Sequence, residues 1–412
     1  MMNRKEIIFC SILRDSLSEE EFSAIGAMSS SDWSSIYEIA RHNNLLALLY
    51  YKLKSHKISL PADWEETLRD SYLACSRKDI QRHKQLCELI KIFNDNRIDH
   101  ILLKGSHLAE KIYIHSLLRP MCDIDILVKD EDIDRAYNLL LSKGYAEKYE
   151  EGDLKIVKDV FVNHYPALVR PNWLPVEIHR YLFENIELKN LPMIWARARE
   201  TDIDGNLTKI MSIKDILLYM AIHGLKYNTS KLGIHFLYDL HVILSNCDID
   251  WNLVVELLRE DEWGNSKTLY SSLILAKEFF GTIIPEDFME RIKPSDFDCK
   301  VKDILTDLII CKDYTLNTEP YTFSYYLFYS LKKMSLKYII KQSFFSKERI
   351  GSADKDKYKG FKMIMLQFRS LLNILFTFLG IIYKYLFTNN KEVKKAFRNG
   401  KKAGLLNHWL ET

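Results

Sequence analysis

The sequence predicts an α+β protein, a small mixed β-sheet core flanked by N-terminal and C-terminal helical regions. Three observations predict it. Apolar residues recur at helical spacing over the first hundred positions, short aliphatic runs punctuated by Gly take over between about 98 and 181, and the helical period returns from Leu182. The boundaries fall at 1–97 (N-terminal helical region), 98–181 (α/β core), 182–318 (C-terminal helical domain) and 319–412 (a basic, aromatic-rich helical tail region). At 412 residues, 47% hydrophobic and 28% charged, the chain has the composition of an ordinary globular protein with room for two or three domains.

The elements follow in order. Ser31 and Asp32 signal a helix start before Trp33, Ile36, Ile39 and Ala40, and Leu45 to Leu53 continue the apolar pattern. After Pro61 a run from Trp64 to about Asn96 contains neither Pro nor Gly and reads as one long helix. His100 to Leu103 form a short apolar strand that stops at Lys104-Gly105-Ser106, and residues 106–115 then read as a helix. Ile124 to Val128 are aliphatic around Asp125 and make a second strand. A helix from about Glu131 closes at Lys143-Gly144, and further strands are expected at 154–158, 160–169 and 174–179. Downstream, 215–225, 232–244 and 251–259 have helical spacing, and 350–360 reads as a loop.

Charge and cysteine usage narrow the setting. Seven scattered Cys, an odd number with no CxxC pair, argue against a disulfide framework and a zinc site and fit a reducing cytosol. The N-terminal apolar run is too short and interrupted for a signal peptide, so a cytoplasmic location is expected. Residues 331–412 carry 18 Lys and Arg against 5 Asp and Glu, which leaves the first 330 residues 11 charges on the acidic side of a chain whose total is +2. Such a basic end suits an anionic partner, nucleic acid or membrane lipid, or pairing with the acidic body. Within it, 370–387 opens with fourteen residues free of charge between Arg369 and Lys384. That is short of the twenty or so that span a bilayer, and reads as a buried helix or as a surface anchor at the inner membrane face.

The chemistry concentrates in the α/β core. Lys104-Gly105-Ser106 is followed, seventeen residues after Ser106, by Asp123-Ile124-Asp125. Two Asp separated by one residue on a strand share a face, where they repel unless a cation sits between them. Hard divalent ions favour such oxygen ligands, and Gly-Ser at a helix start presents N–H groups to phosphate. Glu177, between Val176 and Ile178, is the best candidate for the third carboxylate that two-metal phosphoryl chemistry usually needs, the alternative being a surface acid or a salt bridge with Arg180. Lys104 and Arg119 are cations suited to a triphosphate or an acceptor, although Arg119, before Pro120, also suits a loop brace. His164, His179, His223 and Asp239 are candidates for the acceptor pocket or for support behind the metal ligands. Each also has a purely structural reading, a hydrogen-bonded sheet His or a satisfied core residue.

The pattern hG[GS], helix, [DE]h[DE]h resembles the DNA polymerase beta-like nucleotidyltransferase superfamily. More narrowly, ILLKGSHLAEKIY, LRPMCDIDILV, HYPALVRP and VEIH resemble the bacterial family of uncharacterised nucleotidyltransferases. The upstream IYEIARHNNLLALLYYKL and downstream LLYMAIHGLKY and FLYDLHVIL extend the resemblance over about residues 30–245. It implies transfer of a nucleoside monophosphate from an NTP to a hydroxyl or phosphate acceptor with Mg2+ or Mn2+, a small metabolite or saccharide being the favoured acceptor. Gly105 and Ser106 would hold the β- and γ-phosphates, Asp123 and Asp125 both metals, and Glu177 the catalytic metal and the acceptor. His107-Leu108 departs from the small residues usual after the Gly. The alternatives are a tRNA- or protein-modifying nucleotidyltransferase and a non-catalytic, membrane-associated nucleotide-binding scaffold. The base, the acceptor, the pathway and the oligomeric state are not encoded in any motif.

Overall fold

The computed structural model describes residues 4–148, 164–183, 191–227, 233–259, 263, 266–310, 399–406 and 409–410. Four helices open the chain: α1 (Arg4–Leu13), α2 (Glu19–Gly26), α3 (Ser30–His42) and α4 (Leu46–Ser55). The expected cap at Ser31-Asp32 lies slightly upstream. Ser29 is the N-cap of α3 and forms a capping box with Asp32. The run without Pro or Gly becomes α5 (Ala62–Asp95), 34 residues long, with Arg82, Gln85, Leu86, Leu89, Ile90 and Phe93 buried along one side.

The core follows as β1 (His100–Leu102), α6 (Lys104–Lys111), β2 (Ile124–Val128), α7 (Ile133–Ser142), β3 (Ala146–Glu147), β4 (Leu168–Val169) and β5 (Val176–His179). Gly144 closes α7 with φ +86°, a conformation that Gly adopts without steric cost. Then come α8 (Leu191–Arg197), β6 (Arg199–Ile203), β7 (Asn206–Ile210), α9 (Ile213–Ile222), α10 (Ile234–Asn246), α11 (Trp251–Arg259), α12 (Ser266–Phe280), α13 (Glu286–Ile292) and α14 (Cys299–Ile310).

The sheet order is β3-β4-β5-β2-β1-β7-β6. β1 runs antiparallel to β2, while β5 lies parallel to β2 and β7 parallel to β1, so the sheet is mixed as the sequence predicts. Its last two strands correct the expectation of an all-helical stretch after Leu182. Residues 199–210 form a hairpin turning at Asp204-Gly205, a dipeptide suited to tight hairpins.

Strand alternation sorts the side chains. Ile124, Ile126 and Val128 of β2 and Val176 and Ile178 of β5 face a core built with Leu86, Leu89, Ile90 and Phe93 of α5 and Ile133, Ala136, Tyr137 and Leu140 of α7. Asp125, Glu177 and His179 therefore belong to the opposite face. Gln85, fully buried on α5, donates to the Leu174 carbonyl at 2.8 Å and accepts from the Leu174 N–H at 2.9 Å. This fixes the approach to β5, and with it the register that places Glu177.

Contacts divide the described residues into two units, one reaching from α1 to α13 and one holding α14 with residues 399–406 and 409–410. In the second unit Lys402 pairs with Asp307. The expected strand 154–158, the first residues of 160–169, the loop 350–360 and the apolar segment 370–387 lie outside the described residues. Among the described residues, no helix is long and apolar enough to cross a membrane.

One buried residue of the core has a thermodynamic consequence. His107 on α6 is fully buried, and neither ring nitrogen has a hydrogen-bond partner among the described residues. Burial pushes its pKa down to about 3. The folded value lies below the unfolded one of about 6.5, so the folded chain resists protonation. Stability is full above pH 6.5 and falls as pH drops toward 3; at pH 5 the loss due to His107 is about 2 kcal/mol. His107→Met should therefore narrow the gap in Tm between pH 7.5 and pH 5, read by thermal denaturation. An equal loss of Tm at both pH values would show that burial of the imidazole is not the cause.

Candidate active site

The site begins at the end of β1. The Leu103 N–H donates to the Asp125 carbonyl at 3.1 Å, extending the ladder to the first residue before α6. Lys104 then turns the chain with φ +40°, a strained conformation for a residue with a Cβ. At Gly105 an added methyl group would lie 3.3 Å from Met121 Cε, so the α6 start and the loop before β2 approach closely. Ser106 is buried with its hydroxyl 3.8 Å from Met121 Sδ, and only Gly105 and Lys104 of the three-residue motif reach the wall of the cleft.

Asp125 lies directly beside Glu177 in the parallel pairing of β2 and β5, with Leu127 beside His179. Lys104 Nζ donates to Asp125 Oδ1 at 2.9 Å, and His179 Nε2 lies 2.7 Å from the same oxygen. His179 Nε2 is also 3.5 Å from Glu177 Oε2, and His164 Nε2 is 3.7 Å from it. The two imidazoles lie side by side, ring centroids 4.9 Å apart, where residue 164 bridges to residue 179.

These neighbours set the charges. Burial would raise the Asp125 carboxyl, but Lys104 and His179 outweigh it and hold Asp125 ionised, well below the usual carboxylate range. Burial would likewise lower Lys104, and the charge of Asp125 outweighs that and keeps the ammonium protonated. Glu177 is held down, against its burial, by His179 and His164. His179 is raised, against its burial, by hydrogen bonds to Asp125 and Glu177. Asp123, just before β2, is pushed up to about 6 by burial and then by the negative charges of Asp125 and Glu177. Three carboxylates thus compete for little positive charge.

Asp123, Asp125, Lys104, Gly105, Arg119 and His223 line a common cleft of about 200 Å³. Glu177, His164 and His179 are not on its wall, and neither is Asp239. It is fully buried on α10 and accepts from Arg119 Nε at 2.6 Å and from the Tyr113 hydroxyl at 2.7 Å. His223 opens a π-helical turn, 223–227, at the end of α9, and burial lowers its pKa to about 3. Gly224 beside it is required by packing, because a Cβ would lie 2.0 Å from Cε2 of Phe236 on α10.

A second cavity of about 510 Å³ shares Asn44, Pro120, Met121 and Cys122 with the cleft and continues to Arg41, Lys78, Gln81 and Trp173. Asn43, Asn44 and His235, cleft residues that sequence reasoning did not select, complete the wall. The Asn43 side-chain oxygen accepts from the Ile234 N–H at 2.9 Å, joining the end of α3 to the start of α10. Asn44 at φ +56° was the available signal, since Asn-Asn after a helix marks a left-handed exit.

The closest-packed set of metal-ligating atoms here is Asp125, Glu177 and His179, mutually within 4.8 Å. Asp123 stands outside that set and joins the site through the cleft and through charge. Residues 29–281 match the family described as uncharacterised nucleotidyltransferase. The chain belongs to that family. Among solved structures, an antigenic nucleotidyltransferase-like protein from Paracoccidioides brasiliensis is similar at 16% identity, over 52% of this chain and 92% of its own, with a TM-score of 0.34. No curated protein matches. The match spans the strand pair, the cleft and α10, so every candidate site residue of this nucleotidyltransferase lies within it.

Proposed function

We propose that this nucleotidyltransferase moves a nucleoside monophosphate from an NTP to a hydroxyl or phosphate acceptor, a small metabolite or saccharide in preference to a macromolecule, with Mg2+ or Mn2+. The observation that carries the reading is the in-register pairing of Asp125 with Glu177 on a face where Lys104 and Arg119 meet the same cleft as Asp123. The donor set suits a hard cation, because Asp125 and Glu177 are held ionised by their neighbours, their charges add to burial in raising the proton affinity of Asp123, and all three offer oxygen ligands. Asp123, Asp125 and Glu177 would hold it, with His179 fixing the Asp125 and Glu177 carboxylates. When bound, the cation neutralises charge that develops on the phosphate oxygens.

The residues of the chain provide the rest. Lys104 and Arg119 offset the charge of the triphosphate, and Gly105, in the first turn of α6 and on the cleft wall, would donate its N–H to a phosphate oxygen. Glu177 orients the acceptor hydroxyl and takes its proton as the acceptor oxygen bonds to the α-phosphorus. The bond from that phosphorus to the bridging oxygen breaks, and pyrophosphate leaves. The adjoining cavity, with Trp173, Gln81 and Asn172 on its walls, is the side from which a polar small molecule enters. The scattered Cys suit a cytoplasmic protein, and the basic balance of residues 331–412 suits an additional anionic contact, nucleic acid or, at the inner membrane face, lipid.

Calorimetric titration of the four NTPs with Mg2+ tests the reading. Binding that requires the metal and disappears in Asp123→Asn/Asp125→Asn is the expected result. Tight binding of tRNA with steep salt dependence would move the acceptor to nucleic acid. Folded wild type that binds none of the NTPs would leave the non-catalytic scaffold as the better account.

A further inference from the structure

A separate cluster of ligating side chains sits at the far end of α6. His83 and Cys87 lie four residues apart on α5, so they share a helix face. Asp204 reaches the same place from the tip of the β6–β7 hairpin. His83 Nε2 is 2.8 Å from Asp204 Oδ2 and 3.6 Å from Cys87 Sγ, and the three ligating atoms lie mutually within 4.8 Å. The other ring nitrogen, Nδ1, is 3.1 Å from Glu110 Oε1 on α6, and Arg82 Nη1 lies 2.6 Å from that same buried carboxylate oxygen.

This arrangement prepares His83 as a ligand. Each ring nitrogen faces a carboxylate, Nδ1 that of Glu110 and Nε2 that of Asp204, so with the Nδ1 proton held by Glu110 the Nε2 atom, beside Cys87 and Asp204, takes either a second proton or a metal ion. A lone pair facing a carboxylate oxygen at hydrogen-bond distance needs a proton or a cation between them. Tetrahedral zinc, with N and O ligands near 2.1 Å and S near 2.3 Å, separates N from S by about 3.6 Å and N from O by about 3.4 Å. The observed N–S separation already matches. The N–O separation must open by about half an ångström, and the Asp204 side chain, 75% exposed at a hairpin tip, is free to make that adjustment.

We propose that His83, Cys87 and Asp204 bind a divalent transition metal of the zinc class, with Glu110 bracing His83 and water completing the coordination. The mixed N, S and O set suits zinc and is foreign to Mg2+ or Ca2+. The site is structural. It ties the hairpin at the sheet edge to α5 and, through Glu110, to α6, whose first residues face the candidate active site. A His-x3-Cys pair completed by a distant Asp carries none of the CxxC spacing by which zinc sites are recognised in a sequence.

Cobalt(II) titration of the metal-free full-length chain decides the matter. One equivalent should produce a thiolate-to-cobalt band in the near ultraviolet, with visible bands of tetrahedral intensity, and Zn2+ should displace it. The thiolate band should vanish in Cys87→Ser and His83→Gln and persist in Asp125→Asn and Glu177→Gln, which separates this site from the candidate active site. Glu110→Gln should weaken Co2+ affinity by about 10–100-fold. Zn2+ should raise the Tm of wild type by more than that of Cys87→Ser, and the difference should persist in the Asp125→Asn background. Absence of the thiolate band in folded wild type, or its full retention in Cys87→Ser, overturns the assignment.

Discussion

Asp125→Asn is expected to lower the rate of nucleotidyl transfer by about 10³-fold or more, equivalent to about 4 kcal/mol of barrier. Asp125 is the residue on which the site converges. It pairs in register with Glu177, receives Lys104 and His179 on one oxygen, and raises the proton affinity of Asp123. The substitution removes the negative charge and retains the shape. Lys104 can still donate to the amide oxygen, so the cost in stability is that of weakening charge-assisted hydrogen bonds, about 1.5–3 kcal/mol. The direction of the Asp123 response guards against a false attribution. Removing the charge of Asp125 lowers the Asp123 pKa from about 6, so Asp123 becomes more ionised in the variant, and lost activity cannot come from its protonation. The measurement is single-turnover transfer from labelled NTP, made well below the variant's Tm. A variant that is folded and still transfers at the wild-type rate would remove Asp125 from the reaction.

The parts of this site that are near in sequence were legible, and the parts that depend on distant contacts were not. Alternation with the aliphatic residues of β2 and β5 assigns Asp125 and Glu177 to the face opposite the core, and Gly105 marks a close approach. His179 was legible conditionally, because i+2 spacing shares a face only while the strand continues, and β5 does continue to residue 179. The expectation for Ser106 came from motif position, whereas packing turns its hydroxyl toward Met121. The β6–β7 hairpin carried a signal in Asp204-Gly205 that the flanking helical periodicity overrode. Nothing local indicates that Gly224 accommodates the Phe236 ring or that Asp239 meets Arg119, since those facts exist only once α9 and α10 pack.

The Arg119–Asp239 pair yields the largest expected effect on stability. Asp239 is fully buried, Arg119 is 14% exposed, and they meet at 2.6 Å across 120 positions of sequence. Burial would lower the Arg119 pKa, but the charge of Asp239 outweighs it and keeps the guanidinium charged. Asp239→Ala leaves that charge without its buried partner and should cost about 3–5 kcal/mol in denaturant unfolding. Because Arg119 Nη1 also donates to the Pro120 carbonyl at 2.7 Å, the pair holds the loop that delivers Asp123 to the cleft. The double variant Arg119→Met/Asp239→Leu, which removes both charges and keeps the volume filled, should recover most of the lost stability. It should not recover NTP affinity, since Arg119 lines the cleft beside Asp123. That split separates the two roles read for Arg119 in the sequence. If the double variant regains both stability and NTP binding, Arg119 is a loop brace alone. If stability returns while the KM for NTP stays elevated, the same guanidinium serves the loop with one edge and the phosphates with another.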